Sequence, residues 1–474
     1  QCEDLPERLD QCPQWVGNCS LGCKADILGR CSLWDSFVTS PRVLSGLAPS
    51  TSSEYDRYMK TIHSTVGAIN KLERLHRAVT TQEPICFYGD YDVDGITATS
   101  VYLSFFGGLG AQVRAYVPHR LREGYGLNLG AVQRLHDEGI ALLVTSDCGT
   151  TSHKEIALAA RLGMDVVVTD HHQTDEDVPP AVAVLNPHRT GSRYPFLGLC
   201  SAALAYKVAQ AYQLRYGVAG VPLESLLDLV ALATVADVVP LHDENRRFVR
   251  EGLVQLSRGA RCGVRALKQV AGVTQDCTAE TIAYKLAPRI NAAGRLDDAM
   301  LGVRLLTTDD PAEAQRLADR LEQLNRERQR IEVDIMAEAL ASLKDREAPP
   351  ALVLASRHWH LGVVGIVAAR LVDRFQRPAI VMSINEQGIA KGSARTIGGF
   401  DLYQGLASCR ELLEAFGGHP SAAGVTVRES RIDEFRARFS EVVAGWTHDG
   451  GKVPTLNVDA EVRLDEVNLQ LIQE

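Results

Sequence analysis

The sequence predicts an α/β architecture, with a parallel-sheet domain joined by a long helix to a smaller α/β domain. Three observations carry this expectation. From about residue 83, short apolar runs alternate with amphipathic segments, the repeating pattern of βαβ units. After Asp309, leucines and isoleucines recur at helical spacing over a long stretch. Beyond Pro349 and Pro350 the strand and helix alternation resumes.

In chain order, strands are expected at 85–88, 113–117, 141–145, 166–169 and 182–185, runs too short and too β-branched for helices. Helical stretches lie between most of them, so a parallel sheet follows. A helix-rich section then covers about 201–306. The long helix after it opens with Asp309, Asp310 and Pro311 as cap and first-turn residues. Leu317, Leu321, Leu324, Ile331 and Ile335 form its apolar face, while Arg320, Arg326, Arg328 and Arg330, mixed with acids, read as a solvated face. This helix is expected to bridge two domains and to be broken by Pro349 and Pro350. Strands near 351–355 and 379–382 and a helix near 362–374 begin the second α/β domain. The resulting partition is 1–50, a cysteine-rich segment; 51–306, the first α/β domain; 307–348, the connecting helix; 349–450, the second α/β domain; and 451–474.

A chain of 474 residues, 45% hydrophobic and 23% charged, is long enough for two or three separately cored domains. It reads as soluble and globular: no apolar run approaches the roughly 18–20 residues that cross a bilayer, and no secretory signal pattern opens it, so a cytoplasmic setting is expected. The net charge of −9 argues against a uniformly basic nucleic-acid coat but leaves room for a local basic groove. Cys2, Cys12, Cys19, Cys23 and Cys31 crowd the start of the chain, at spacings that match neither paired C-x2-C motifs nor a His-completed zinc site. The dispersed cysteines, such as Cys86, read as small core residues.

Three of the expected strands end at once in acids: ICFYGDYDVDG, ALLVTSDCG and DVVVTDHH. In an open parallel sheet the carboxyl ends of the strands face one crevice, so these side chains converge. Asp90, Asp92 and Asp94 stand at alternate positions, with Gly95 relieving the turn. They do not form an EF-hand loop, which requires a glutamate at its twelfth position. Asp147 adds a carboxylate, and Asp170, His171 and His172 add an acid and two imidazoles. That oxygen and nitrogen set suits a divalent Mn or Mg with water rather than thiolate-bound zinc. Cys148 beside it reads as packing. Asp237, in ATVADVVPL, follows an apolar helical run and needs a partner, which a metal or an N-cap role would supply. Two divalent ions roughly 3.5–4 Å apart, Mn2+ or Mg2+, would activate water and stabilise the leaving oxygen of a phosphodiester.

DYDVDG, SDCG, DHH and TVADVVP, in this order, resemble the four motifs of the DHH phosphoesterases. The resemblance implies that Asp92, Asp94, Asp147, His171 and Asp237 ligate the metals and that Asp90 is a further ligand or supporting acid. It also implies that His172 contacts the scissile phosphate and that Asp170 orients the site. HRLREGYGLN, APRINAAGRLDDA and the run from WHLGVVGIVAARL through KGSARTIGGFDL to GGHPSAAG are similar to segments of the RecJ branch, single-strand-specific 5′-to-3′ DNA exonucleases with a DHHA1 second domain. The similarity covers roughly residues 84–430.

Arg120 and Tyr125 then read as a phosphate grip and a base-stacking ring, and Arg289, Asn291 and Arg295, among Ala and Gly, as a strand-tracking element. Ser393 and Arg395 resemble the pocket for the terminal 5′-phosphate, and Gly417, Gly418 and His419 the DHHA1 substrate loop. His360, beside Trp359, is structural or functional on this reading. The implied substrate is single-stranded DNA, and a single-strand-binding protein or a helicase would be a partner. The first 50 or so residues align with no RecJ segment, and 451–474 resembles the entry to an OB-like domain. Two other readings stay open: an oligonucleotide or cyclic-dinucleotide phosphodiesterase with the same metals, and a non-catalytic DNA-binding scaffold.

Overall fold

The computed structural model describes residues 69–174, 177–218, 221–344, 349–448, 461–463 and 467–468. They form two compact units. The first gathers the described residues up to Gly89 with Thr97–Ala115 and Leu129–Arg258; the second gathers Asp90–Ile96, Tyr116–Asn128 and the described residues from Gly259 onward.

In the first unit, α1 (Ile69–Thr80) precedes β1 (Ile85–Gly89), α2 (Val93–Gly108), whose first turn belongs to the second unit, and β2 (Val113–Tyr116). There follow α3 (Leu129–Asp137), β3 (Leu142–Ser146), α4 (His153–Arg161), β4 (Asp165–Thr169) and β5 (Ala183–Leu185). The strands order as β2-β1-β3-β4-β5, with β1–β3, β3–β4 and β4–β5 parallel. Every residue of β1 and β3 is buried, which is why these runs lack the polar alternation of a half-exposed strand. The strand order reverses direction between β1 and β3, and the crevice at such a switch point is where doubly wound sheets place their ligands.

Helices α5 (Ser201–Tyr216), α6 (Leu227–Ala236) and α7 (Asp243–Arg258) complete this unit. Residues Ser201 to Tyr212 of α5 and Leu227 to Thr234 of α6 are all buried, so these helices are interior. The α6 and α7 backbones meet at Gly252, where a Cβ would stand 2.3 Å from the Leu227 carbonyl oxygen. Arg74 of α1, buried, pairs at 2.5 Å with both Glu83 and Asp165, fixing that helix to the start of β4.

In the second unit, α8 (Cys262–Val270), a π-helical turn (Thr281–Leu286) running into α9 (Ala287–Leu296), and α10 (Met300–Thr307) pack against the 33-residue α11 (Pro311–Leu343). The Asp310 carboxylate caps α11 by accepting from the Ala312 N–H, with Pro311 in the first turn. A mixed sheet follows, built from β6 (Leu352–Ser356), β7 (Ala379–Ile384), β8 (Ile389–Arg395), β9 (Ala415–Gly418) and β10 (Ala422–Arg428) in the order β6-β7-β8-β10-β9. Only the β6–β7 pair is parallel. Helix α12 (Val364–Phe375) covers one face together with Ile335 and Ala339 of α11. The other face carries α13 (Leu402–Ala407) and α14 (Ile432–His448), through Leu402, Leu406, Phe435 and Phe439.

Several expectations are corrected here. Helix α11 ends at Leu343, short of Pro349 and Pro350, so the prolines do not break it. Arg328 is not on a solvated face: its side chain is 11% exposed and donates to Glu332 and Asn325, both at 2.6 Å. Strands β8, β9 and β10 go beyond the expected elements, because glycine and alanine thin out the apolar alternation of IAKGSAR, AFGG and AAGVTVR. Gly417 and Gly418 are therefore strand residues, and the turn lies at His419 to Ala422, closed by the His419 N–H donating to the Ala422 carbonyl at 2.8 Å. The expectations for 1–50 lie outside the described residues, as do those for 451–474 apart from 461–463 and 467–468.

Candidate active site

At the carboxyl end of the first unit's sheet, the ladder runs on one residue past β3 and β4. The Asp147 N–H donates to the Thr169 carbonyl, and the Asp170 N–H to the Leu185 carbonyl, each at 3.1 Å. This pins both acids. Asp147 adopts φ 67°, a left-handed conformation uncommon for a residue with a Cβ. The turn is completed by Gly149 at φ 109°, where a Cβ would meet the Thr145 hydroxyl at 2.8 Å, and that hydroxyl donates to the Cys148 carbonyl at 2.7 Å. Cys148 is fully buried packing, as expected.

The side chains then converge. His171 Nε2 lies 3.2 Å from Asp147 Oδ1 and 3.6 Å from Asp237 Oδ2. A single ring N–H shared between two carboxylates makes at best a bent, divided hydrogen bond, whereas a cation among the three groups would be bound by all of them. Asp147, His171 and His172 offer ligand atoms within 4.8 Å of one another, an oxygen and nitrogen set that fits a divalent ion such as Mn or Mg. Asp237 is at the C-terminus of α6, its N–H bonded to the Ala233 carbonyl at 2.9 Å, so the N-cap alternative does not describe it. The next residue, Val238, has φ 57° and is 86% exposed.

Asp170 is buried and accepts from the N–H groups of Thr150, His171 and His172 at 3.0, 2.8 and 3.1 Å, and its Oδ1 lies 2.8 Å from His172 Nδ1. Burial alone would raise its carboxyl, but the His172 hydrogen bond and charge, with the Thr150 bond, bring it down to about 2. Three supporting residues escape a reading of the sequence: Ser201, whose hydroxyl donates to Asp147 Oδ1 at 3.1 Å, Thr150, and Asn186. The Asn186 amide donates to the His172 carbonyl and the Thr150 hydroxyl at 2.9 and 3.0 Å. Ser, Thr and Asn in such positions carry no motif of their own, and only their place beside the acids would have signalled them.

The acidic turn itself belongs to the second unit. Asp90 follows Gly89 directly, as Asp147 follows Ser146, and Gly89 and Ser146 are register partners. Asp90 and Asp94 are buried. Asp92 Oδ1 caps α2, accepting from Asp94 and Gly95 N–H at 2.9 and 3.1 Å. Gly95 is required because a Cβ there would fall 2.4 Å from the Asp90 carbonyl oxygen. The Asn291 side-chain oxygen accepts from the Val93 N–H at 3.2 Å, so Asn291 braces this turn. Arg289 donates to Glu322 of α11 and to the Lys285 carbonyl, both at 2.6 Å, which commits it to helix packing.

In the same unit, Arg120, Arg328 and Arg395 all act electrostatically on Arg295. Burial, with the charges of Arg120 and Arg328, brings Arg295 down to about 10 despite the opposing pull of Asp92, and Arg395 also acts on it. Arg395 is lowered by burial and by Arg120. Arg295 donates to the Gly362 carbonyl at 3.2 Å. A Cβ on Gly365, in the first turn of α12, would stand 3.0 Å from the Ser393 hydroxyl and 3.5 Å from Arg395 Nη2, so this glycine keeps the space before those two side chains open. His360 Nδ1 accepts from the Gly362 N–H at 3.1 Å, and burial lowers its pKa, which leaves it neutral near pH 7. Tyr125 is 53% exposed and meets Tyr91 edge-on. Gly417, Gly418 and His419 are exposed.

Residues 84–234 match the DHH family, N-terminal domain, and residues 348–445 match the DHHA1 domain. The single-stranded-DNA-specific exonuclease RecJ of Bacillus subtilis (strain 168) is 41% identical over 411 residues, 86% of this chain and 52% of that protein, so the chain spans about half its length. The protein of the same name from Dickeya dadantii (strain 3937) is 37% identical over 424 residues, 85% of this chain and 74% of the relative. A crystal structure of exonuclease RecJ bound to manganese superposes with a TM-score of 0.70 at 35% identity, covering 81% of this chain and 94% of that one. RecJ from Thermus thermophilus in complex with Mg2+ gives 0.64 at 31% identity, covering 81% and 52%. With family models, sequence and fold in agreement, the chain belongs to the RecJ family and carries a DHH and a DHHA1 domain.

Proposed function

We propose that this chain hydrolyses single-stranded DNA from the 5′ end and releases 5′-mononucleotides. The observation that carries the chemistry is the approach of His171 Nε2 to both Asp147 and Asp237. On this reading Asp147, His171 and Asp237, with Asp92 and Asp94, would hold two divalent ions, with Asp90 as a further ligand or a supporting acid. When bound, such ions supply a Lewis acid for phosphoryl oxygens and make water a nucleophile at neutral pH. With Nδ1 tied to Asp170 at 2.8 Å, the His172 ring is held in one orientation, and on this reading it contacts an oxygen of the scissile phosphate. Arg120, Arg295, Arg395 and Ser393 receive the 5′-terminal phosphate, Tyr125 stacks on a base, and Gly417, Gly418 and His419 border the strand. Phosphate grip and stacking together confer little base preference.

The same reading keeps 51–306 as the catalytic domain, 307–348 as the connecting helix and 349–450 as the DHHA1 domain. It also places the enzyme in the cytoplasm, in DNA repair and recombination, beside a single-strand-binding protein or a helicase. Among the described residues no helix is long and apolar enough to cross a membrane.

The test is a long single strand with separate 5′ and 3′ labels, with and without a 5′ block, incubated with Mn. Early mononucleotides from the open 5′ end alone are expected. Loss of label from the 3′ end first would overturn the polarity. Cleavage confined to very short oligomers would move the chain to the oligonucleotide phosphodiesterases, and no cleavage at saturating Mn would favour a binding scaffold.

A further inference from the structure

We infer that Tyr91 is a positioning residue for the substrate's 5′ end: its ring is the platform that holds the Arg120 guanidinium oriented toward the terminal phosphate. The inference rests on the 5′-phosphate reading above and deepens it. Tyr91 lies inside the acidic motif, where its neighbours Asp90 and Asp92 draw the attention, and no metal role calls for an aromatic ring there.

The Arg120 guanidinium carbon sits over the Tyr91 ring, 4.6 Å from its centre, within cation–π range. The platform is itself immobilised. Tyr125 meets it edge-on, with centroids 6.3 Å apart at 75°. Its backbone is pressed against α9, where a Cβ on Gly294 would fall 2.2 Å from the Tyr91 carbonyl oxygen.

The need for a platform follows from like-charge repulsion. Arg120 acts electrostatically on both Arg295 and Arg395. Arg295 is held by the Gly362 carbonyl, and Arg395 by the Ala394 carbonyl at 2.8 Å. A free arginine facing two fixed cations swings toward solvent until an anion arrives, and the ordering then weakens binding. A ring beneath the guanidinium keeps its plane and fork in place beforehand.

The experiment compares kcat and KM on 5′-phosphorylated and 5′-hydroxyl single strands of one sequence, with Mn affinity measured in parallel. Tyr91→Leu should reduce the preference for the phosphorylated end about tenfold, through KM with little change in kcat, and with unchanged Mn affinity. Tyr91→Phe should behave as the wild type. Tyr91→Leu combined with Arg120→Ala should be no worse than Arg120→Ala alone. Arg120→Lys, which keeps the charge but loses the planar stack and leaves the acidic turn untouched, should reproduce the loss even where Tyr91→Leu folds poorly. Equal losses on both strands, or an additive double variant, would overturn the platform while leaving the end-recognition reading intact. A wild type indifferent to the 5′-phosphate would instead remove that reading, and the platform with it.

Discussion

Asp147 shows how one residue carries both strain and chemistry. Its left-handed backbone costs of order 1–3 kcal/mol in a residue with a Cβ, yet it aims the carboxylate at His171 Nε2, 3.2 Å away. Asparagine tolerates this backbone region and has nearly the same shape. Asp147→Asn should therefore keep the metal-free melting temperature of the wild type and lose Mn-dependent hydrolysis by at least about a hundredfold. Single-strand binding should persist, since the guanidinium cluster is untouched. Calorimetry, a cleavage assay and filter binding check the three parts, and activity within a few-fold of wild type would take Asp147 out of the metal centre. At this scale the acids and histidines were legible, because three strands ending in ligand-type residues are hard to obtain from packing needs. Ser201, Thr150, Asn186 and Tyr91 were not, because their contacts come from chain segments far apart in sequence.

Among the elements, α11 was legible in its cap, its apolar stripe and its start, and misread in its polar face. Arg328 and Glu332 are spaced i, i+4, the usual signature of a solvated pair, but here α12 packs over them. Glu332, 2% exposed, accepts from Arg328 and pairs with Arg370 of α12, so one buried carboxylate balances two cations. Removing one partner of such a group leaves uncompensated buried charge. Glu332→Ala should therefore cost about 3–5 kcal/mol, a larger loss than Arg326→Ala, whose 76% exposed side chain contributes at most about 0.5 kcal/mol through Glu322. Denaturant titration of the two variants checks the ranking, and equal midpoints would show that the network is not holding α11 to α12. The missed strands β8 to β10 have a different cause. Their glycines permit close approach, as at Gly392, where a Cβ would stand 2.2 Å from the Val381 carbonyl oxygen, and they remove the alternating pattern by which a strand is recognised.

Across the whole molecule, a chain of net charge −9 also keeps Asp90, Asp94 and Asp147 almost fully buried. Buried carboxylates in such number are costly unless cations or hydrogen bonds compensate them. The bound ions are therefore expected to be part of the folded state's stability as well as its chemistry. A ligand that binds only the folded state stabilises it by about 2.7 kcal/mol at a hundred times its dissociation constant, and for domains of this size that corresponds to roughly 5–10 °C. Stripping divalent ions with a chelator should lower the melting temperature by that order, and Mn should restore it in a concentration-dependent way. Asp147→Asn should melt near the stripped wild type and respond weakly to Mn, which separates site binding from nonspecific screening by added salt. A stripped protein that melts with the wild type at saturating Mn would mean that hydrogen bonds alone compensate the acids, and the two-metal assignment would then have to be abandoned.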